Sequence, residues 1–210
     1  MNRHPSQFSP EVLDVLAGLI RLGEHVHDPY AGPGIRLGQL CDRLGAVFTG
    51  GDIEVWSDHD PRVIQADAAD PSGYPSRDFT TVTSPVYLNK RLADYPNGPT
   101  PFTKIKGRRD YAIALGRALH PDNLARATGR PARAATYWRG HGDAVKQWGD
   151  RAIVNVDSPI GQGWQDLLRV DGYTIEDVIP VVTQRYGGLD NADKRADHEV
   201  VIVACRTPQT

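Results

Sequence analysis

The chain has 210 residues, of which 40% are hydrophobic and 24% are charged, so it can bury a core and its composition is not that of a disordered protein. No apolar run approaches the roughly 18 residues that a membrane-spanning helix requires, and the first residues lack the apolar stretch of a signal peptide. Two cysteines, Cys41 and Cys205, without a CxxC pair argue against a disulfide framework and a zinc site. We therefore expect one cytoplasmic domain over residues 1–210, with neither metal nor membrane among its partners.

The first part of the chain alternates helix and strand patterns. Ser9 precedes an apolar stripe that runs to Ile20, which is typical of a capped amphipathic helix. A turn rich in proline and glycine leads to a second predicted helix, residues 37–44, which ends at Gly45. Strand patterns are predicted at residues 46–53, 63–67 and 80–83.

The second part continues the alternation. The sequence predicts helices over residues 111–119 and 134–148 and a strand over residues 152–156. Only a loop separates the last two predicted strands, residues 176–183 and 199–205, so they should pair antiparallel. Alternating strands and helices predict an α/β domain with a mostly parallel sheet.

Ligands of open α/β sheets bind beyond the carboxyl ends of the strands. Residues 28–34 form one of four predicted strand ends that are polar or rich in glycine, and Gly32 and Gly34 there would let the backbone approach a ligand closely. Asp52 follows about 20 residues later, which is the spacing of a carboxylate that binds ribose hydroxyls. Each feature alone is equally typical of a tight turn or a solvated carboxylate. The glycines form a GxGxxxG pattern instead of GxGxxG, which argues against NAD, and a Walker GK[ST] motif is absent from the sequence.

Three segments resemble motifs of the S-adenosylmethionine-dependent amino-methyltransferases, which methylate adenine N6 or cytosine N4. Asp28-Pro29-Tyr30-Ala31-Gly32-Pro33-Gly34 is similar to their cofactor loop, DPxxGxG, and is followed by Gly51-Asp52-Ile53. Thr83-Ser84-Pro85-Val86-Tyr87 is similar to their catalytic loop, [DNS]PP[YFW]. The resemblance extends to residues 7–11 and 198–203 and is weakest over residues 88–150, a basic segment. It implies a Rossmann-like class I methyltransferase fold, a mostly parallel seven-stranded sheet with an antiparallel last strand.

The resemblance also implies roles for individual residues. Asp52 would bind the ribose hydroxyls of S-adenosylmethionine, Ile53 would pack near the adenine, and Asp67 would accept a hydrogen bond from its amino group. Ser84 and Pro85 would be catalytic, and Tyr87 would stack on the target base. The other cofactor-binding residues would be Phe8, Ser9, Asp28, Tyr30, Gly32 and Gly34.

The function implied by the resemblance is methylation of an exocyclic amino group in DNA, as by the solitary enzymes of phages or mobile elements. Val86 stands where the family has a second proline, so the loop lacks the φ restraint that proline provides. Two alternatives stay open: an RNA base or other methyltransferase, because RNA enzymes share the same catalytic loop, and, because of Val86, a catalytically impaired module that binds cofactor or nucleic acid. A homodimer or a partner subunit is also compatible with the sequence.

Charge is segregated along the chain in a way that is typical of a nucleic-acid partner or, alternatively, of a solvated basic face without a partner. Residues 104–139 carry nine Lys or Arg against two Asp, on a chain with a net charge of −2. Tyr111, Tyr137 and Trp138 in this segment could contact bases, or they could pack on the sheet, the favoured interpretation for Trp138. The residues expected to contact nucleic acid are Lys104, Lys106, Arg108, Arg109 and Arg185.

Overall fold

The computed structural model describes residues 8–76, 78–85, 115, 118–124, 131–184 and 196–207. The helices are α1 (Pro10–Leu19), α2 (Ile35–Leu44), α3 (Pro131–Val145) and α4 (Ser158–Val170), with a short 3-10 helix at Pro71–Gly73. The strands are β1 (His25–Asp28), β2 (Val47–Asp52), β3 (Val63–Gln65), β4 (Thr80–Thr83), β5 (Arg151–Asp157), β6 (Tyr173–Gln184) and β7 (Ala196–Arg206).

The seven strands form one sheet in the order β3-β2-β1-β4-β5-β7-β6. Neighbouring strands from β3 to β5 are parallel, whereas β7 is antiparallel to both β5 and β6. The predicted sheet, mostly parallel with an antiparallel last strand, is confirmed. The strand order reverses between β1 and β4, so a crevice opens beyond the carboxyl ends of these two strands.

One face of the sheet is covered by α1 and α2. The Ser9 hydroxyl accepts a hydrogen bond from the Val12 amide at 3.2 Å and begins α1, as predicted. Val12 and Leu16 are fully buried against Val26 of β1. Helix α2 ends at Gly45 in the left-handed conformation (φ 68°), which also confirms the prediction.

The opposite face is covered by α3 and α4. Helix α4 was not predicted, although Ile160, Trp164 and Leu168 lie on one helical stripe and are buried. Tyr137 of α3 is 0% exposed, and Trp138 contacts Trp164 with 5.9 Å between ring centroids. Both α3 aromatics therefore pack in the helix layer, and Tyr137 offers no surface to a nucleic acid.

Two further features position the rest of the chain. Among the described residues between β3 and β4 the only helical turn is the 3-10 helix. The rings of Tyr74 and Phe79 in this part of the chain cover the buried His27 of β1, with 4.8 and 5.6 Å between ring centroids.

At the amino-terminal edge of the sheet, Glu24 accepts hydrogen bonds from Thr80 and from Arg151. This carboxylate thus joins the starts of β1, β4 and β5.

Neither a membrane helix nor a metal cluster is found in the part of the chain that the structure describes. No described helix is long and apolar enough to cross a bilayer. Within the same residues, no three His, Cys, Asp or Glu side chains are grouped to bind a metal ion. Cys41 and Cys205 are both free thiols.

Candidate functional site

A cavity lies at the carboxyl ends of β1 to β4, where the strand order reverses. It brings together residues that the sequence analysis placed in one site: Tyr30 after β1, Asp52 and Ile53 at β2, Asp67 after β3 and Ser84 after β4. Its other lining residues are Pro29, Glu54, Trp56, Ala68, Ala69, Asp122, Asn123, Leu124, Gly140 and Asp143.

Asp28 is a buried carboxyl that joins β1 to β4. Its Oδ1 accepts hydrogen bonds from the Thr83 hydroxyl at 2.6 Å and from the Tyr30 amide at 3.0 Å. Burial raises the pKa of Asp28 to about 7, although these two hydrogen bonds act to lower it. The side chain therefore fixes the first turn of the glycine-rich loop and titrates near neutral pH.

Asp52 fixes the other side of the same loop. Its Oδ2 accepts from the Gly32 amide at 2.8 Å and its Oδ1 from the Glu54 amide at 2.7 Å. Burial raises the pKa of Asp52 to about 6, against the lowering effect of the two amides. The Trp56 side chain also hydrogen bonds to Asp52, so these three donors occupy most of the roughly four acceptor positions of the carboxylate and leave about one for a ligand hydroxyl.

The glycines of the loop are required by close packing. Gly34 has a φ of 67°, and a Cβ there would overlap the Val63 side chain. Gly38, in the first turns of α2, lies so close to β2 that a Cβ would be 3.1 Å from the Phe48 ring. In the dinucleotide fingerprint the third glycine allows this close approach of helix to strand, and here it stands one position later.

Tyr30 connects the cavity to α3. Its hydroxyl is hydrogen bonded to Nδ1 of His141 at 2.8 Å. Burial lowers the pKa of His141 to about 3 and raises the pKa of Tyr30 well above its usual value, so both groups are neutral. The His141 ring is fully buried, with the Tyr137 and Trp164 rings at 4.3 and 4.8 Å. The Tyr30 ring is therefore held in one orientation at the cavity wall.

Several cavity residues were missed by the sequence analysis. Glu54 is 3% exposed, and its Oε1 accepts from the His120 amide at 2.7 Å and from Asn123 Nδ2 at 2.8 Å. The only signal for Glu54 in the sequence is its place two residues after Asp52. Nothing in the sequence around Asn123 or Gly140 marks them, because they reach the cavity through contacts between distant segments.

Other predicted site residues lie apart from the cavity or outside the described residues. Phe8 is packed in the core beside α1, with its carbonyl accepting from Arg36, and Ser9 is the helix cap, so neither lines the cavity. Pro85 is buried directly after Ser84. The residues that lie outside the described part are Val86, Tyr87, Lys104, Lys106, Arg108, Arg109 and Arg185.

Comparison with known proteins gives a match in structure alone. No protein-family model matches the chain, and no curated protein matches it either. The fold is similar to a chain of the E. cuniculi Mtq2–Trm112 complex, which methylates the termination factor eRF1, with a TM-score of 0.53 and 15% identity over 99% of this chain and 100% of that chain. It is also similar to magnesium protoporphyrin IX methyltransferase of Synechocystis PCC 6803, solved with S-adenosylmethionine bound, with a TM-score of 0.51 and 13% identity over 93% of this chain and 78% of that chain. The chain has the Rossmann-like class I methyltransferase fold.

Proposed function

We propose that this protein transfers a methyl group from S-adenosylmethionine to an exocyclic amino nitrogen, adenine N6 or cytosine N4, in DNA. The observation that carries the proposal is the meeting of Asp52, Asp67 and Ser84 at one cavity, beyond the strands where this fold opens its crevice. The glycine loop beside Asp52 supports it, because its backbone is held in the tight turn that such a ligand requires.

The residues of the cavity fit the cofactor. Asp52 would bind the ribose hydroxyls, Ile53 would pack on the adenine, and the exposed Asp67 would accept from the adenine amino group. The Gly32–Gly34 turn and Tyr30 would surround the methionine end, beside the buried Asp28. S-adenosylmethionine, when bound, supplies a methyl group on a positively charged sulfur, and the carboxylates near it favour a cationic ligand.

Ser84 and Pro85 would act on the acceptor. An exocyclic amino nitrogen is a weak nucleophile because its lone pair is delocalised into the ring. Hydrogen bonds from the amino group to the Ser84 Oγ and to the Pro85 carbonyl favour a pyramidal nitrogen with its lone pair directed at the methyl group. In such a transfer the N–C bond would form as the S–C bond breaks, the electron pair would stay on sulfur, and the nitrogen would then lose its proton to water.

In a duplex, the target base would have to leave the stack before it could reach Ser84. Tyr87 would stack on the extruded base, and the cations at Lys104, Lys106, Arg108, Arg109 and Arg185 would bind phosphates. An RNA base is the alternative acceptor. The similar Mtq2–Trm112 complex methylates a protein and contains a second subunit, so a protein acceptor is included in the test, and a partner subunit stays a prediction.

The test is incubation with methyl-labelled S-adenosylmethionine and, separately, DNA, RNA and cell protein. Mass spectrometry of the nucleosides should detect N6-methyladenine or N4-methylcytosine in DNA. Label found only in ribonucleosides would support the RNA alternative, and label found only in protein would contradict a nucleic-acid substrate. Binding of S-adenosylhomocysteine without any transfer would support the impaired module.

The Ser84→Ala variant tests the catalytic assignment. We expect turnover to fall about 100-fold or more, the usual effect of removing one such contact, while affinity for S-adenosylhomocysteine stays nearly unchanged. Ser76→Ala, which alters an exposed serine outside the cavity, is the control and should keep full turnover. Equal turnover in Ser84→Ala and in the unmodified protein would contradict the assignment.

A further inference from the structure

Residues 119–124, here called the crossing segment, form one wall of the cavity and belong to none of the motifs in the sequence. Leu119 and Asn123 are buried, at 5% and 9% exposure, although residues 119–123 lie in neither a helix nor a strand. Asp122, Asn123 and Leu124 all line the cavity. The segment is therefore held by specific contacts at its two ends.

The first contact is with Glu54, just beyond the carboxyl end of β2. One oxygen of this buried carboxylate accepts from the His120 amide at 2.7 Å and from Asn123 Nδ2 at 2.8 Å. Hydrogen bonds to a carboxylate are about twice as strong as those between neutral groups, and burial strengthens them further. The Glu54 amide in turn donates to Asp52 at 2.7 Å, so the segment is linked directly to the predicted ribose-binding residue.

The second contact is with α3. Leu124 packs on Gly140, where a Cβ would lie 2.6 Å from the Leu124 Cδ2 atom. Gly140 is the α3 position that lets this leucine approach the helix backbone. The crossing segment thus runs along the cavity wall from the end of β2 to α3.

The order of the strands divides the cavity into two halves. Asp67 follows β3 and Asp52 ends β2, whereas Tyr30 follows β1 and Ser84 follows β4. If Asp52 holds a ribose, the nucleoside lies in the half formed by β2 and β3, which is the half where Glu54 binds the crossing segment.

We propose that the crossing segment, held by Glu54 through His120 and Asn123, covers the nucleoside half of S-adenosylmethionine, and that Glu54 is a positioning residue for cofactor affinity. This inference rests on the proposed function. Glu54 acts through the segment and takes no part in the methyl transfer, so its loss should weaken cofactor binding and leave the rate at saturating cofactor unchanged.

The experiment measures by calorimetry the affinity of the full chain for S-adenosylhomocysteine and for methylthioadenosine, which lacks the amino-acid part. Glu54→Ala removes both hydrogen bonds to the segment, and we expect both affinities to fall about tenfold, by the same factor. Glu54→Gln keeps an acceptor oxygen and should recover most of the affinity. Asn123→Ala removes the side-chain donor of the hydrogen bond to Glu54. It tests the same contact if Glu54→Ala does not fold.

The matched control is Glu24→Ala, which removes a carboxylate of the same kind at the opposite edge of the sheet. We expect it to lower the melting temperature and to leave both affinities unchanged. An equal loss of affinity in Glu24→Ala and Glu54→Ala would overturn the inference, because the effect would then be one of general stability.

The remaining outcomes separate the inference from the proposed function. If the unmodified protein binds neither ligand, the proposed function is wrong and the inference is wrong with it. The other case is that the unmodified protein binds both ligands. If Glu54→Ala and Asn123→Ala then bind them as tightly as the unmodified protein does, only the inference is overturned. A loss confined to S-adenosylhomocysteine would also overturn it, since the segment would then contact the amino-acid half.

Discussion

The Thr83 hydroxyl donates a 2.6 Å hydrogen bond to the buried carboxyl of Asp28, across the two strands between which the sheet reverses its order. The contact joins the last residue of β4 to the last residue of β1. It therefore joins the two strands at the carboxyl edge of the sheet, where the crevice opens.

Thr83→Val should measure the strength of this contact, since valine keeps the shape of threonine and removes the donor. Because a buried acceptor then loses a partner, we expect the free energy of unfolding to fall by about 1–3 kcal/mol in urea titrations. Thr174→Val breaks an exposed hydroxyl pair with Thr207 and should cost less than about 0.5 kcal/mol. Equal losses in the two variants would contradict a structural role for the Asp28 contact.

The pKa of Asp28 leads to a pH dependence of stability. The pKa of Asp28 is about 7 in the folded protein, whereas the ordinary value of an aspartate, 3.8, applies to the unfolded chain. Between pH 3.8 and about 7 the folded protein therefore holds a proton that the unfolded chain has lost. The contribution of Asp28 is most favourable below pH 4 and is lost as the pH rises through 7. Asp28→Asn cannot ionise, so we expect the unmodified protein to lose several kcal/mol of unfolding free energy relative to this variant between these pH values. Parallel stability curves for the two proteins would contradict the shift.

The hydrogen bond between Tyr30 and His141 is suited to a double-mutant cycle. Tyr30→Phe and His141→Phe each remove one partner and keep a ring in the buried cluster, and the double variant removes both. At pH 7.5, where the buried imidazole is neutral, urea unfolding should give a coupling energy of about 1 kcal/mol. Effects that add within about 0.3 kcal/mol would indicate that the contact contributes nothing.

Two glycines should respond in opposite ways to alanine. Gly34→Ala places a Cβ against Val63 at a φ of 67°, and we expect a loss of about 2 kcal/mol or more in unfolding free energy. In α1, a Cβ added at Gly18 would meet no other atom within 4 Å, so Gly18→Ala should gain about 0.5–1 kcal/mol through helix propensity. Thermal unfolding of both variants measures these changes. A Gly34→Ala variant more stable than the unmodified protein would contradict the close packing of the loop.

Local patterns accounted for α1, α2 and the strands, because each is determined by neighbours in the chain. Ser9 begins α1 and Gly45 ends α2 through contacts within four residues, and the loop predicted before the last strand indicated that β7 pairs antiparallel with β6. Helix α4 was missed although its apolar stripe was present, since it follows β5 directly and its first residue has no side-chain cap.

The candidate site could be predicted only where a motif marked it. Asp52 and Ser84 were found because their spacing along the chain resembles that of a family. The partners of these motifs lie far away in sequence: His141 is 111 residues from Tyr30, and Asn123 is 69 residues from Glu54. Such contacts follow from the packing of whole elements, and a single sequence contains no local pattern that signals them.

The tie between Glu24 and Arg151 has a consequence for engineering the protein. Because it joins three strands at the amino-terminal edge of the sheet, it lies away from the loops at the carboxyl edge, and changes to those loops leave it in place. To change the acceptor specificity, a redesign should therefore substitute residues in those loops. It should keep Glu24 and Arg151 unchanged.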